Sequence, residues 1–311
     1  MEVVRCSKCS KRATISLRHP KLNLCAEHFK EYFENRLTKT IKRYKMIKKG
    51  ESILVAISGG KDSIALLHAL CNALGDKVEI KAIHINLGIK QYSSKCLRIS
   101  RDFLKKLDIE HYIIDLKREY GFTVDEAVSK LQFKRAPCSI CGLIKRRVLN
   151  DYALKLKVDK LATGHTLDDE ATFILTNYAS GNLDLLLRSG PAIPTKYGIL
   201  ISRIKPLYEI SELETTLYCM INNLSYVEEE CPYSKEAPTI SLKQMINQIE
   251  NIRLGFKISL IRTYNRMIKP AISSFYAQLE EEPKFCRDCG YPTNADYCAF
   301  CRLKRKIIRK S

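Results

Sequence analysis

The sequence predicts an α/β protein whose core is a doubly wound parallel sheet, with a small zinc-finger module at each end. Three observations carry that expectation. Between residues 52 and 178, short β-prone runs alternate with helix-length amphipathic segments, as in sheets whose crossovers are helices. A glycine-rich turn, Ser58-Gly59-Gly60-Lys61-Asp62-Ser63, joins the first of those runs to a helix. Two four-ligand sets, Cys6, Cys9, Cys25, His28 and Cys286, Cys289, Cys298, Cys301, stand near the two ends.

The 311 residues are 45% hydrophobic and 28% charged, enough apolar material for a core. Fibrous and disordered classes are excluded. The net charge is +19, and it is uneven: residues 1–50 carry 14 basic and 4 acidic side chains, and residues 284–311 carry 8 and 2. Such a balance points to a polyanionic partner, nucleic acid ahead of membrane. No apolar run approaches the ~20 residues that cross a bilayer. Residues 1–5 do not read as a signal peptide, so the chain is expected in the cytoplasm. There, thirteen cysteines are read as metal ligands or redox groups rather than disulfides.

Each element can be justified in chain order. Cys6-x2-Cys9 and Cys25-x2-His28 make two close pairs, the spacing of a structural tetrahedral zinc site. Over 29–49, Phe29, Tyr32, Phe33, Leu37, Ile41, Tyr44 and Ile47 recur at three or four residues, predicting an amphipathic helix closed by Gly50. Arg36, Lys39, Lys42, Arg43 and Lys49 form its other face, either a solvated surface or a phosphate contact.

Strands are expected at 52–57, 78–85, 110–116 and 160–163, with helices at 64–74, 93–107, 141–156 and 168–178. The turn at 58–63 combines backbone N–H groups, a helix N-terminus, hydroxyls and a lysine, all suited to phosphate, though it lacks the GxxxxGK[ST] spacing. Thr163-Gly164-His165-Thr166-Leu167-Asp168-Asp169-Glu170 also passes from strand to helix. Its acidic residues either complement the helix dipole or face the strand carboxyl ends, where ligands bind in such sheets. Residues 239–274 read as helix, and 280–283 as a boundary. Cys286-x2-Cys289 and Cys298-x2-Cys301 make the second zinc set.

The other cysteines are treated separately. Cys71, Cys96 and Cys219 lie in apolar helical patterns and read as core residues. Cys138-x2-Cys141 stands alone, and could be a redox dithiol, half a zinc site, or part of an iron-sulfur ligand set. Cys231, in a polar loop, is a candidate third ligand.

The turn at 58–63 resembles the PP-loop of ATP pyrophosphatases, the adenine nucleotide alpha hydrolase-like fold. Cys138, Cys141, Cys231 and Gly164-His165-x-Leu167-Asp168-Asp169-Glu170 resemble the TtcA/TtuA family of tRNA 2-thiolation enzymes, and the paired terminal zinc motifs resemble the branch that holds TtuA and the cytosolic wobble-uridine thiolases. Leu87-Gly88-Ile89, Tyr120-Gly121-Phe122 and Cys289-Gly290-Tyr291-Pro292-Thr293 followed by Cys298-Ala299-Phe300-Cys301 look most like TtuA. The resemblance implies 1–50 as zinc finger and basic helix, 51–235 as the PP-loop catalytic domain, 236–283 as a helical extension and 284–311 as a second zinc finger.

It also implies a reaction. ATP, with Mg2+, would adenylate the C2 oxygen of uridine 54 in the T-loop of tRNA, and sulfur would then displace AMP. Ser58, Gly59, Gly60, Lys61, Asp62 and Ser63 would bind the phosphates. Ala56, Ile57, Ile85 and Gly164 would line the nucleoside, and Lys145 would meet ATP and the developing charge. Ser58, Lys145 and Asp169 form the expected catalytic set. Cys138, Cys141 and Cys231 would carry a [4Fe-4S] cluster with one open iron. Sulfur would come from a thiocarboxylated ubiquitin-like protein or from sulfide, and the enzyme would be a homodimer.

Thr166, where many relatives have asparagine, puts one hydrogen bond in question. The alternatives are the same chemistry at wobble uridine 34, a ligase that adenylates a substrate for attack by an amine, or a zinc-containing RNA-binding protein without catalysis. On the main reading, the basic terminal modules act as arms that grip tRNA phosphates.

Overall fold

The structure, a computed structural model, describes residues 4–131, 136–195, 197–234, 238–277 and 284–308. The expected boundaries at 235 and 280–283 lie outside them. A hairpin of β1 (Ile15–Leu17) and β2 (Leu22–Leu24) leads into α1 (Ala26–Arg43). The core then alternates: β3 (Ser52–Ile57), α2 (Lys61–Leu74), β4 (Glu79–Asn86), α3 (Lys90–Leu104), β5 (His111–Asp115), α4 (Leu116–Tyr120), α5 (Val124–Leu131), α6 (Pro137–Lys155), β6 (Lys160–Ala162) and α7 (Leu167–Ala179). It continues through α8 (Leu183–Leu187), β7 (Ala192–Ile193), β8 (Ser202–Ile204) and α9 (Glu212–Ile221). The extension holds α10 (Pro238–Ile252), α11 (Phe256–Thr263), a π-helical turn over Tyr264–Ile268 and α12 (Lys269–Ala277). β9 (Lys284–Phe285), β10 (Pro292–Thr293) and α13 (Ala299–Ile308) form the last module.

The large sheet has the order β5-β4-β3-β6-β8-β7. Its first five strands are parallel, as expected. The edge strand β7 departs from that pattern and pairs antiparallel with β8, the common way to finish an otherwise parallel sheet. Strand order reverses between β3 and β6, so a crevice opens beyond their carboxyl ends, at Ile57 and Ala162.

Two apolar cores cover the two faces of the sheet. On one face lie Phe29, Phe33 and Leu37 of α1 with Ile64 and Leu67 of α2; on the other lie Ile144 and Val148 of α6 with Phe300 and Leu303 of α13. The terminal modules are therefore not free arms. Ile15, Leu17 and Leu24 belong to the first core, and Cys286, Cys298 and Phe300 to the second.

Several element ends differ from the sequence-based expectation. Helix α1 stops at Arg43, before Gly50, because Lys45 takes a left-handed conformation (φ +49°) and Met46 N–H returns to the Ile41 carbonyl. Arg36 and Arg43 are both engaged by carboxylates, Arg36 by Glu214 and Arg43 by Glu209, while Arg43, Lys39, Lys42 and Lys49 stay exposed. Helix α6 begins four residues early, with Pro137 at its first position, where a missing N–H costs nothing. The helix expected over 239–274 is broken at Gly255 (φ +84°), whose N–H, with that of Lys257, is taken by the Glu250 carboxylate. Its ladder widens again before Pro270, which has no N–H to return to residue 266.

Candidate active site

The turn after β3 closes on itself through hydroxyls. Ser58 N–H donates to Ser63 Oγ at 3.1 Å, Ser63 Oγ donates to the Gly60 carbonyl at 2.9 Å, and Ser58 Oγ accepts from Gly60 N–H at 3.3 Å. Gly60 is the N-cap of α2 and offers no side-chain acceptor, so the first-turn N–H groups are left to an incoming anion. Gly59 is required twice over: its φ is +87°, and a Cβ there would stand 3.1 Å from the Cys96 backbone. Gly164 has its own reason, since a Cβ would lie 3.0 Å from Ser63 N. The two strand-to-helix turns thus meet across the switch point.

Of the three acidic residues after His165, only Asp169 faces this crevice. Asp168 is buried, accepting from Lys257 Nζ at 2.7 Å and Glu212 N–H at 2.9 Å. Glu170 is buried against Lys205 at 2.6 Å. Asp169 closes a capping box: Thr166 Oγ1 accepts its N–H, and its carboxylate accepts the Thr166 N–H at 3.0 Å. Thr166 therefore fills the cap position that asparagine also suits. Burial pushes the Asp169 carboxyl up, but the Lys243 ammonium at 2.6 Å and the His165 ring outweigh it, and the net direction is down.

Two residues that sequence reasoning missed complete this floor. Lys243, on α10, bridges Asp169 and Glu212 (2.5 Å), and Glu212, on α9, also reaches Lys61 at 3.7 Å. Lys61 itself sits 3.0 Å from Asp62, whose carboxylate accepts from Thr215 Oγ1 at 2.5 Å. No local pattern marks Lys243, which lies far along the chain from Asp169.

Opposite the phosphate turn lie the three unpaired cysteines. The chain leading to Cys231 is tied to the turn by Val227 N–H on the Gly59 carbonyl at 2.9 Å. Beyond Cys231 it reaches α6, where Cys138 Sγ donates to the Tyr233 carbonyl at 3.3 Å. Cys138 is exposed in the first turn of α6, and Cys141 and Cys231 are half-buried against the second core. Burial pushes the Cys138 and Cys141 thiols up; Cys231 raises both further, and Lys145 draws both down. Cys96, read as a core residue, is buried but lies in the same field of Lys145 and Cys231. Unlike the terminal sets, these three thiols do not all lie within 4.8 Å of one another.

Lys145 is central. It acts on Cys96, Cys138 and Cys141 and also on two histidines. Buried His84, with Nδ1 2.9 Å from the Ile57 carbonyl, is pushed down to about 4 by burial. His165 is lowered to about 4 by the surrounding protein and by Lys205, Arg203 and Lys145. Both rings are therefore neutral near pH 7. Ala56 and Ile85 pack on the second core, on the cysteine side, whereas the Ile57 side chain enters the first core and leaves only its main chain to the crevice.

The terminal sets each close within 4.8 Å. His28 Nδ1 stands 3.4 Å from Cys6 Sγ and 3.3 Å from Cys25 Sγ; Cys289 Sγ stands 3.7 Å from Cys298 Sγ and 3.4 Å from Cys301 Sγ. Ligands at about 2.3 Å from one zinc would be ~3.8 Å apart, so both sets fit a tetrahedral ion. A cavity of about 510 Å³ at Val78–Lys81 and Leu107–Glu110 lies at the amino ends of the strands, away from this chemistry.

Residues 29–248 match the PP-loop domain family, and residues 5–30 match the family described as 2-thiouridine synthetase TtuA, N-terminal LIM domain. The tRNA-5-methyluridine(54) 2-sulfurtransferase of Pyrococcus horikoshii is 40% identical, over 98% of this chain and 96% of that protein. The chain belongs to the PP-loop tRNA 2-sulfurtransferase family. A second family member, the tRNA-5-methyluridine(54) 2-sulfurtransferase of Thermus thermophilus, is 36% identical over 98% of this chain and 92% of its own length. The solved U34-tRNA thiolase NcsA from Methanococcus maripaludis, with its [4Fe-4S] cluster, superposes with a TM-score of 0.81 at 28% identity, covering 98% of this chain and 97% of that one. Among the described residues, no helix is long and apolar enough to cross a membrane.

Proposed function

We propose that this sulfurtransferase acts on uridine 54 of tRNA, using ATP with Mg2+. The observation that carries the reading is the convergence of Cys138, Cys141, Cys231 and Lys145 opposite the phosphate turn. In the first step the uridine C2 oxygen attacks the α-phosphorus and pyrophosphate leaves. Ser58, Gly59, Gly60, Asp62, Ser63 and the N-terminus of α2 hold the phosphates, Lys61 and Lys145 offset their charge, and Gly164 gives close access beside the turn. In the second step a sulfur nucleophile adds to C2, the C2–O bond breaks, and AMP departs with the electron pair. Asp169 is the carboxylate placed to take the proton lost from sulfur or to hold the magnesium ion.

Cys138, Cys141 and Cys231 would hold a [4Fe-4S] cluster, which when bound supplies an open iron that presents sulfide without consuming a protein thiol. The terminal sets would hold two structural zinc ions. Three supports distinguish uridine 54 from uridine 34: the relatives at 40%, 36% and 32% identity all carry that activity in their names. The uridine 34 reading has support in the NcsA structure. The sulfur source is a thiocarboxylated ubiquitin-like protein or sulfide, and the setting is the cytoplasm, like that of a 30% identical relative named cytoplasmic tRNA 2-thiolation protein 1 from Chlamydomonas reinhardtii. A homodimer accords with the exposed apolar stripe Met245, Ile249 and Ile252 on α10.

The test is nucleoside mass spectrometry with position mapping, on tRNA incubated anaerobically with reconstituted enzyme, ATP and sulfide. 2-Thiouridine at position 54, with AMP and pyrophosphate, is expected. Thiolation mapped to 34 selects the second reading, and no thiolated nucleoside overturns both.

A further inference from the structure

The middle of the chain is nearly neutral, with one helix as the exception. Residues 51–283 sum to only +3, yet residues 90–106, which hold α3, carry 6 basic and 1 acidic side chains. Lys90, Ser94, Arg98, Arg101 and Lys105 follow one another at steps of four, four, three and four, so they line one face of the helix over about 22 Å. All of them are exposed. Among the described residues none of these four cations makes an ion pair, whereas Lys95, on another face of α3, meets Glu229 at 2.6 Å. Like charges three and four residues apart work against a helix, and a polyanion laid along the row removes that repulsion.

The opposite face of α3 is built into the active site. Ser93, Cys96, Ser100, Phe103 and Leu104 are buried, and Cys96 lies so close to the phosphate turn that a Cβ on Gly59 would stand 3.1 Å from its Cα. Glu229, held by Lys95, is two residues before Cys231, and Val227 N–H on the Gly59 carbonyl ties the same segment to the turn. Helix α3 thus stands between the crevice and solvent, and Lys90 marks its crevice end, four residues beyond the carboxyl end of β4 at Asn86. Because the cationic row points away from Cys96, it does not serve the triphosphate, which has the donors of α2. Nor does α3 suit a bilayer surface: Phe103 and Leu104 are taken up by the first core, and no large apolar side chain is exposed along the helix.

We infer that the exposed face of α3, with Arg98, Arg101 and Lys105 as its anchors, is a track for the tRNA backbone that leads away from the target uridine in the crevice. This rests on the tRNA-thiolation reading. It places phosphate gripping on the catalytic domain itself, on a helix whose other face touches the phosphate turn, so that the RNA is held in fixed register with the nucleotide. Phosphate contacts of this kind set position and orientation and carry no base sequence. Arginine suits the task because its planar fork meets two phosphate oxygens at once.

The experiment uses cluster- and zinc-loaded enzyme carrying Arg98→Gln, Arg101→Gln and Lys105→Gln, singly and together. A control triple, Lys77→Gln, Lys155→Gln and Lys157→Gln, removes the same charge from exposed positions at the amino ends of the strands, away from the crevice. Binding of unmodified tRNA is measured across a salt series, and the KM for ATP by pyrophosphate release at saturating tRNA. For the α3 triple the slope of log K against log salt should fall by about 2–2.7, at ~0.7–0.9 per phosphate contact, and affinity at low salt by at least ~10-fold. Each single change should take one such step, and Arg98→Lys with Arg101→Lys should keep the slope. The control triple should bind like wild type, and ATP KM, zinc and iron content should not change in any variant. An α3 triple that binds tRNA with wild-type affinity and slope would overturn the track. So would equal losses in the two triples, which would reduce the effect to net charge, or a raised ATP KM with tRNA binding intact. Wild-type enzyme that binds no tRNA would instead remove the thiolation reading and the track with it. Should the α3 triple lose its metals, the single variants carry the same comparison.

Discussion

Glu209 ties the N-terminal helix to the helical extension, and its removal has a calculable cost. Its carboxylate accepts from Arg262 Nη2 at 2.7 Å, Tyr44 Oη at 2.8 Å and Arg43, and its side chain is only 5% exposed. Burial pushes the carboxyl up, but Arg262, Tyr44 and Arg43 together bring it from 4.5 down to about 2. A group held lower in the folded than in the unfolded chain stabilises the fold above its unfolded value and loses that contribution as pH falls. The difference corresponds to about 3 kcal/mol at pH 7 and about 1.4 kcal/mol at pH 3. These are upper figures, because the Arg43 and Arg262 side chains are 48% and 50% exposed and partly screened. Glu209→Gln keeps the shape and removes the charge. Urea unfolding of the zinc-loaded protein at pH 7, 5, 4 and 3 should give a loss of 2–3 kcal/mol at pH 7, shrinking by more than half at pH 3. A loss below ~0.5 kcal/mol at pH 7, or one that stays constant with pH, would refute the reasoning.

Three further outcomes are expected. Enzyme purified without oxygen should be brown with broad absorbance near ~400 nm, and Cys138→Ala, Cys141→Ala and Cys231→Ala should each abolish it; colourless wild-type protein that still thiolates tRNA would exclude the cluster. Arg147 donates to Cys289 Sγ at 3.0 Å and to Asp151, so Arg147→Met should weaken metal binding at the C-terminal set by about 10–100-fold in a Co2+ titration followed by its visible spectrum, while leaving the N-terminal set unchanged. Thr166→Ala should cost about 1 kcal/mol of stability by denaturant unfolding, and Thr166→Asn close to nothing, since both threonine and asparagine cap a helix.

Strand β3 falls at the expected residues, and the phosphate turn and both four-ligand sets form as their spacing implies. Each depends on residues close in sequence, where period, glycine placement and ligand spacing are informative. The failures were also local in appearance but long-range in cause. Gly50 looked like the end of α1, yet the helix stops where Met46 can be buried. Cys96 is buried as its apolar helical pattern implies, but what the pattern could not show is that the approach of α3 to the Gly59 turn also brings it to the site. The acidic run looked uniform, but the tertiary partners Lys257, Lys243 and Lys205 give Asp168, Asp169 and Glu170 three different environments.

The amino-acid sequence by itself determined the parallel α/β core, the phosphate turn, the two terminal metal sets and a basic chain, because strand period, turn chemistry and ligand spacing are properties of neighbouring residues. Tertiary structure decided what those parts do together. It docked both basic modules onto the cores, used Arg36 and Arg43 internally, and brought the chain just beyond Cys231 onto Cys138. A charge is neutralised or left open by what packs against it, and that neighbour is set by the fold rather than by the next residue in the chain.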